Sequence, residues 1–192
     1  MTPCARQGPI HVSARAAAFA ALLVFAAHAC ARSDGTVELR PAPAFTHESA
    51  QEWINSPPLS LADLRGHVVL IDFWAFECWN CYRSFPWLND LAARLGPRGL
   101  RVVSVHTPEF ERERDPARVA AKVREFGLDH PVMLDNDYSY WRALGNRYWP
   151  AFYLVDADGR VRAQFVGETH AGDRQATAIE REIERLLQEA RG

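Results

Sequence analysis

The sequence lacks an excess of charge of either sign. Among 192 residues, 22 lysines and arginines stand against 24 aspartates and glutamates, and the formal net charge is −2. The arginines are scattered among acidic residues, so we expect no nucleic-acid partner. Internal repeats and low-complexity segments are also missing, and the length suits one domain with short appendages.

The apolar run at residues 16–26 is too short to span a membrane, which takes roughly 20 residues. Positive residues (Arg6, His11 and Arg15) precede the run, and the small-residue pattern AHA follows it at residues 27–29. This order is typical of an export signal with its cleavage site. We therefore predict that residues 1–29 are an export signal and that the protein works in the periplasm or another extracytoplasmic compartment.

Cysteine is scarce. Of the four cysteines, Cys4 would leave with the signal, and Cys30 would follow the cleavage site directly. At that position Cys30 is either a lipid anchor or a free thiol in a flexible tail. The mature chain then holds one CxxC pair, Cys78 and Cys81, plus one odd thiol.

The CxxC pair lacks the neighbouring residues that a zinc site or covalent haem attachment would need. There is no second CxxC and no HxxxH to complete a zinc site, so we expect no metal. Covalent haem attachment needs a histidine after the pair, and Tyr82 is there instead. A static disulfide across two residues would close almost no loop and would stabilise little. Redox chemistry is the interpretation that is left.

Periodicity predicts a mixed α/β layer fold. Residues 30–57 are predicted to be a linker or N-terminal arm, and residues 58–192 the domain. Within the domain we expect a short turn of helix or two near residues 138–144 and three longer helices, one from the CxxC pair to Leu95, one starting at Pro116 and a final one at residues 176–190. Buried or hairpin strands are expected at residues 68–73, 100–106, 131–134, 151–155 and 161–166.

The segment VVLIDFWAFECWNC, residues 68–81, places the pair where a buried strand gives way to a helix. Backbone N–H groups at a helix N-terminus favour a thiolate, so Cys78 is the predicted nucleophile. Cys81, one turn further, is expected to be more buried and to resolve a mixed disulfide on Cys78. The only redox group required is then the Cys78–Cys81 disulfide, with no other cofactor.

Several segments carry a family resemblance: INSPPLSLADLRGHVVLIDFW, CxNC, VVSVHTPEFERERDP, LDNDYSYWRALGNRYWPAFYLVDADGRVR and FVGE. In this order they resemble thioredoxin-fold oxidoreductases of the TlpA/ResA type, and most closely the thioredoxin-like domains of DipZ proteins. The resemblance implies a thioredoxin-like α/β fold, with a central mixed β-sheet flanked by helices. It also implies exchange with protein or peptide thiols and disulfides, with a membrane protein as electron donor or acceptor.

The resemblance assigns further roles. In thioredoxins an aspartate six residues before the first cysteine lies buried and accepts the proton of the second, which makes Asp72 a general base for Cys81 with a raised pKa. A solvated Asp72 is the alternative. Pro150 is expected to be cis, to face the disulfide, to keep metal ions off the thiols and to set the backbone of Trp149 for pairing with an extended substrate. A trans proline opening an edge strand is the alternative.

The residues around the pair depart from the family pattern: Ala75, Phe76 and Glu77 stand where it usually has Thr-Tyr-Ser/Cys, and Trp79 stands in place of Ile, while Asn80 matches the pattern. Glu77 and Asn80 are predicted to tune the redox chemistry, and the repulsion of Glu77 against the helix terminus suggests a moderate pKa for the Cys78 thiol. An apolar docking surface for protein thiols is predicted from four aromatic residues, of which Trp79 is expected to be the most exposed: Trp74, Phe76, Trp79 and Trp149.

Two other parts of the sequence are expected to have structural roles. His106, Glu109 and Phe110, in the string VHTPEF, are expected to cap a strand–helix loop, and residues 111–114 to form a solvated surface. Two alternative functions stay open. A thiol peroxidase would need Thr or Ser where Ala75 stands and an upstream proline. A Cu(I) or apoprotein thiol carrier would suit two thiolates, but a cis Pro150 would block it.

Overall fold

The structure, a computed structural model, describes residues 40–192. The predicted export signal, Cys30 and the first part of the predicted arm lie outside the described residues. None of the helices within residues 40–192 combines the length and the apolar character that crossing a bilayer requires.

In the described part of the chain, a six-stranded sheet forms the centre of the domain, in the order β1-β4-β3-β2-β5-β6. The β2–β3 and β3–β4 pairs are parallel and the other pairs antiparallel, so the sheet is mixed, as predicted. The strands are β1 (Trp53–Ile54), β2 (Val68–Trp74), β3 (Leu100–His106), β4 (Val132–Leu134), β5 (Ala151–Val155) and β6 (Val161–Val166).

Within residues 40–192, four α-helices accompany the sheet: α1 (Trp79–Leu95), α2 (Pro116–Glu125), α3 (Ser139–Leu144) and α4 (Arg174–Glu189). Asp115 caps α2 and Asp173 caps α4, each by accepting a backbone N–H two or three residues further along. Both carboxylates satisfy donors that would otherwise have no partner at a helix start. The predicted helices and strands are thus confirmed, with shifts of a few residues at their ends.

The alternation of side chains along the strands divides the core into two layers. On one face, Val68, Leu70 and Trp74 of β2 pack with the apolar stripes of α1, α2 and α4. On the other face, Val69, Ile71 and Phe73 pack with α3 and with the segment before β1. Since both faces are covered, β2 is buried along its whole length.

Residues 41–54 are part of this second layer. Pro41 forms a β-bridge with Arg160, and the side chains of Phe45 and Trp53 are buried. The indole of Trp53 donates a hydrogen bond to the carbonyl of His47 at 2.8 Å. The predicted boundary at residue 58 is therefore too late, because a few separated apolar side chains, with no regular period, are enough to dock this segment on the sheet.

Candidate active site

Cys78 and Cys81 are joined by a disulfide at the start of α1, with their Cα atoms 5.3 Å apart. Cys78 is the N-cap residue, and its Sγ accepts the backbone N–H of Cys81 at 3.3 Å. Cys78 keeps a small exposed fraction of 8%, whereas Cys81 has none. The order of exposure matches the predicted one, because the cap position faces out of the first turn and the residue three further on faces the core.

Pro150 lies beside the end of β2 that leads to the CxxC pair. Ala151 pairs with Phe73, so Pro150, the preceding residue, is level with Trp74. The Trp149–Pro150 peptide bond is cis, as expected. The ring of Trp149 packs on Trp141 with centroids 4.2 Å apart, and its indole N–H donates to the carbonyl of Thr107 at 3.1 Å. Trp149 is therefore held in place and only partly exposed.

Asp72 is 1% exposed, so the alternative of a solvated carboxylate is wrong. It alternates with Leu70 and Trp74 on the face of β2 that α1 covers. The hydroxyl of Ser104, its register partner on β3, donates to Oδ2 of Asp72 at 3.0 Å. Burial raises the pKa of Asp72 to about 7, against the smaller lowering effect of that hydrogen bond.

Trp74 and Phe76, two of the four predicted docking residues, are buried and present no surface to a partner. Trp74 packs edge-on against Phe85 and His106, and Phe76 stacks on His106 with ring centroids 5.8 Å apart. The prediction was wrong for both, because the strand and the turn after it direct these rings under α1 instead of outward. Trp79, in contrast, is 68% exposed, as expected.

In residues 40–192, the large apolar side chains that are exposed all belong to segments at the end of the sheet that carries the Cys78–Cys81 disulfide. Trp79 follows Cys78, and Tyr148 comes two residues before Pro150. Val166 pairs with Ala151, the residue after Pro150. Phe110 follows β3 and lies under the guanidinium of Arg112. Tyr148 and Val166 were not predicted to belong to the site, although the position of Tyr148 beside Trp149 and Pro150 was a usable signal.

Arg112 forms a two-pronged ion pair with Glu77, the residue before Cys78. The guanidinium holds the pKa of the Glu77 carboxyl below its ordinary value, so that side chain is charged and paired at neutral pH. No partner of Glu77 could be predicted from the sequence. The negative charge beside Cys78 is therefore partly compensated, and Asn80, whose side chain is exposed, keeps its tuning role as a prediction.

Glu113 is fully buried in the short helical turn Glu111–Arg114, where a solvated surface was predicted. Its carboxylate accepts the backbone N–H of Glu77 at 2.9 Å and that of Phe110 at 3.3 Å. Burial raises the pKa of the carboxyl in spite of these bonds. The prediction was wrong for Glu113 because a carboxylate can satisfy backbone donors of two loops at once, which a pattern of charges does not reveal.

His106 does not cap the loop after β3. Both of its ring nitrogens are buried and have no hydrogen-bond partner among residues 40–192. Burial lowers the pKa of its imidazole to about 3, so the ring is neutral and packs between Trp74 and Phe76.

Among the described residues, one group of side chains has the spacing of metal ligands: His47, Asp135 and Asp137, with ligand atoms within 4.8 Å of one another. These groups already bind each other. Nε2 of His47 lies 3.1 Å from Asp135, and Nδ1 lies 2.9 Å from Glu52. Asp135 also accepts the backbone N–H groups of Tyr140 and Trp141. The cluster works as a hydrogen-bonded anchor for the segment before β1, and the expectation of no metal stays a prediction.

Comparisons with known proteins agree with this geometry. The sequence profile of the Redoxin family matches residues 40–180. The chain is 44% identical over 142 residues to Protein DipZ of Mycobacterium tuberculosis, which covers 72% of this chain and only 20% of that protein. It is 29% identical over 150 residues to the thiol-disulfide oxidoreductase YkuV of Bacillus subtilis, covering 78% of this chain and 96% of YkuV.

A solved structure gives the same architecture. The crystal structure of a putative thiol:disulfide interchange protein DsbE from Chlorobium tepidum superposes with a TM-score of 0.66 at 28% identity, and the match covers 78% of this chain and 96% of that one. The thioredoxin-like fold predicted from the sequence is therefore confirmed.

Proposed function

Because this chain belongs to the redoxin family, as a thioredoxin-fold member of the TlpA/ResA type, we propose that it exchanges disulfides with other proteins outside the cytoplasm through a mixed disulfide on Cys78. The chain is a thiol-disulfide oxidoreductase. The route of the reaction, the class of substrate and the compartment are what we propose beyond that activity. The single observation that carries the proposal is the Cys78–Cys81 bridge at the N-cap of α1.

The route begins with the reduced pair. The thiolate of Cys78 attacks one sulfur of a substrate disulfide, a Cys78–substrate bond forms, and the other substrate sulfur leaves as a thiolate that takes a proton from solvent. Cys81 then gives its proton to Asp72 and attacks Sγ of Cys78, and the second substrate sulfur leaves. Two electrons pass from the dithiol to the substrate. The same steps in reverse oxidise a substrate dithiol.

Cys78 suits the role of nucleophile for two reasons. Its Sγ already accepts a backbone N–H at the start of α1, where the helix dipole favours negative charge. Its exposure, though small, exceeds that of Cys81. Reduction of substrates is the favoured direction, because the helix terminus lowers the pKa of the Cys78 thiol only modestly and the negative charge of Glu77, although partly compensated, acts against it.

The substrate is proposed to be a protein or peptide. The exposed side chains of Trp79, Phe110, Tyr148 and Val166 form an apolar surface at the end of the sheet that carries the disulfide. A protein partner can dock on such a surface, whereas a small disulfide does not need it. A membrane protein is the proposed electron donor or acceptor, since an oxidising compartment would otherwise leave the pair oxidised. Export itself rests on the pattern of residues 1–29, and Cys30 as a lipid anchor remains part of this proposal.

Trapping in cells tests the route. The Cys81→Ser variant lacks the resolving thiol, so we expect it to accumulate mixed disulfides with substrate proteins, detected as bands that disappear on reduction. Cys78→Ser is the matched control and should trap far less. Equal trapping by both variants would contradict the assigned roles. Fractionation of the same cells, with the bands found in the extracytoplasmic fraction, tests the compartment.

A further inference from the structure

A chain of hydrogen bonds leads from the buried Asp72 to the protein surface. Ser104 Oγ lies 3.0 Å from Asp72 Oδ2 and 2.8 Å from His130 Nε2. Ser104 is fully buried, whereas His130 is partly exposed. His130 borders a surface pocket of about 300 Å³ between α1 and the loop after α2, lined by Asn89, Ala92, Ala93, Gly127, Asp129 and His130.

We propose that Ser104 and His130 relay protons between Asp72 and solvent in this pocket. The proposal rests on the proposed function, in which Asp72 takes the proton of Cys81, and it adds two residues that act through Asp72. A hydroxyl and an imidazole suit this task, because each can accept a proton on one atom while it releases another.

The need for a relay follows from the burial of Asp72. Since the pKa of Asp72 is about 7, a large share of molecules holds a proton on this carboxyl at neutral pH. Such a molecule cannot accept the proton of Cys81 until the carboxyl has released its own. Asp72 has almost no exposed surface, and its hydrogen-bond partner among residues 40–192 is the hydroxyl that contacts His130.

The transfer balances without a change in net charge on the relay. Asp72 gives its proton to Ser104 Oγ, Ser104 gives its own hydroxyl proton to Nε2 of His130, and Nδ1 of His130 releases a proton to water in the pocket. No electrons move. His130 changes from one neutral tautomer to the other, so the charged imidazolium is never required.

The charges around the relay agree with this neutral route. Burial lowers the pKa of His130 to about 4, and the nearby carboxylate of Asp129 raises it by a smaller amount. At neutral pH the imidazole is therefore uncharged and has one acceptor nitrogen. α1 also brings two titratable groups to this layer of the core, the thiol of Cys81 in the reduced protein and the phenol of Tyr82, whose pKa burial raises to about 12. β3 adds the imidazole of His106, which is neutral because burial lowers its pKa.

A single-turnover experiment tests the relay. The reduced protein is mixed with an excess of a disulfide-bonded protein such as insulin, and closure of the Cys78–Cys81 disulfide is followed by acid quenching and thiol alkylation at pH 6, 7 and 8. We expect the unaltered protein to close its disulfide in one phase at each pH, because the relay equilibrates Asp72 with solvent quickly.

In Ser104→Ala and His130→Ala we expect two phases. The amplitude of the fast phase should follow the ionised fraction of Asp72, and the second phase should be slower by about tenfold or more, given that general base catalysis is commonly worth a factor of about a hundred or more.

Ser104→Thr, which keeps the hydroxyl, should restore a single phase. Added imidazole should remove the slow phase of His130→Ala, and His67→Gln, outside the site, should behave as the unaltered protein does.

Other outcomes overturn the relay. A single phase at the unaltered rate in Ser104→Ala and His130→Ala would show that protons reach Asp72 by another path. A uniform slowing at every pH, insensitive to imidazole, would show a structural effect. In an Asp72→Asn background, Ser104→Ala should cause no further slowing, and an additional loss would also refute the relay.

The same variants separate the relay from the function on which it rests. If Asp72→Asn closed its disulfide as fast as the unaltered protein, the base assignment and the relay would both fall. If Cys81→Ser formed no mixed disulfide with insulin through Cys78, the proposed route would fail, whatever Ser104 and His130 did.

Discussion

At the scale of single residues, the charge next to Cys78 is governed by a partner 35 residues away. Glu77 precedes the nucleophile directly, and Arg112 pairs with its carboxylate. Sequence adjacency alone indicates repulsion of a thiolate. In the Glu77–Arg112 ion pair, the positive guanidinium offsets most of the repulsion that the Glu77 carboxylate exerts on a Cys78 thiolate. Both effects are modest because the two side chains are exposed to solvent.

Arg112 and Glu77 should shift the acidity of Cys78 in opposite directions. Arg112→Ala leaves Glu77 uncompensated, so we expect the pKa of the Cys78 thiol to rise. Glu77→Gln leaves Arg112 free and should lower it, each by roughly 0.3 to 1 unit because screened charges act weakly. Thiolate absorbance against pH measures both. Arg98→Ala, which breaks an exposed ion pair with Glu184 near the other end of α1, should leave the pKa unchanged. Shifts of the same sign in the two test variants would contradict this prediction.

Asp72 links the active site to the pH dependence of stability. Burial raises its pKa to about 7 in the folded protein, compared with about 3.9 for an unfolded aspartate. Between those values the folded state holds a proton that the unfolded state has lost. The free energy of unfolding should therefore fall as the pH rises from about 4 through about 7.

Asp72→Asn removes this dependence. At pH 8 the variant should be more stable than the unaltered protein, by up to roughly 4 kcal/mol for a shift of about three units, and the difference should vanish near pH 4. Urea unfolding of the disulfide form at both pH values measures it. Asp63→Asn is the control: the pKa of this exposed carboxyl is lowered by Ser60, so the change should carry the opposite sign and be small. Parallel pH curves for Asp72→Asn and the unaltered protein would refute the prediction.

At the scale of elements, the turn before α1 and the loop after β3 are joined by one buried carboxylate. Glu113 accepts backbone N–H groups from Glu77 in the first segment and from Phe110 in the second. The position of Cys78 relative to Phe110 therefore depends on the short helical turn Glu111–Arg114, which contributes little to the apolar core.

Glu113→Ala should destabilise the fold by about 1–3 kcal/mol, because the backbone donors of both segments lose their acceptor in a buried place. Glu111→Ala is a matched control in the same turn, since the Glu111 side chain is 90% exposed, and its effect should stay within about 0.5 kcal/mol. Denaturant unfolding of the three proteins gives the comparison. Equal losses for the two variants would show that the carboxylate of Glu113 is not the anchor.

At the scale of the whole molecule, the large apolar side chains left exposed in residues 40–192 gather around the disulfide end of the sheet. They come from α1, from the loop after β3, from the segment before β5 and from the end of β6. Four separate parts of the chain thus contribute to one surface, which is the arrangement expected where another protein docks.

Trp79→Ser and Tyr148→Ser should separate protein substrates from small ones. We expect the rate constant for insulin reduction to fall by about tenfold in each variant, the usual effect of removing an aromatic anchor. The rate with glutathione disulfide should stay within about twofold, because a small disulfide needs only the two sulfurs. If both rates fell together, the aromatic side chains would be supporting Cys78 itself and not the partner.

The sequence by itself determined the fold class and the centre of the reaction. The alternation of strands and helices and the CxxC pair at a strand–helix junction follow from local rules: hydrophobic period, capping and backbone geometry. These rules act between near neighbours in the chain. Cys78 and Cys81 could therefore be placed before the structure was known, and so could nearly all the strands and helices, whereas the roles of Asp72 and Pro150 were implied by the family resemblance.

Only the tertiary structure decided which side chains meet across the sheet. It buried Trp74 and Phe76, paired Glu77 with Arg112, enclosed Glu113, docked residues 41–54 and brought Ser104 and His130 to Asp72. Strand order and loop course set these contacts, and a residue's nearest neighbours in the chain carry little information about either. The physical reason is that burial and pairing depend on groups tens of residues apart, whereas secondary structure depends on groups within one turn or one strand.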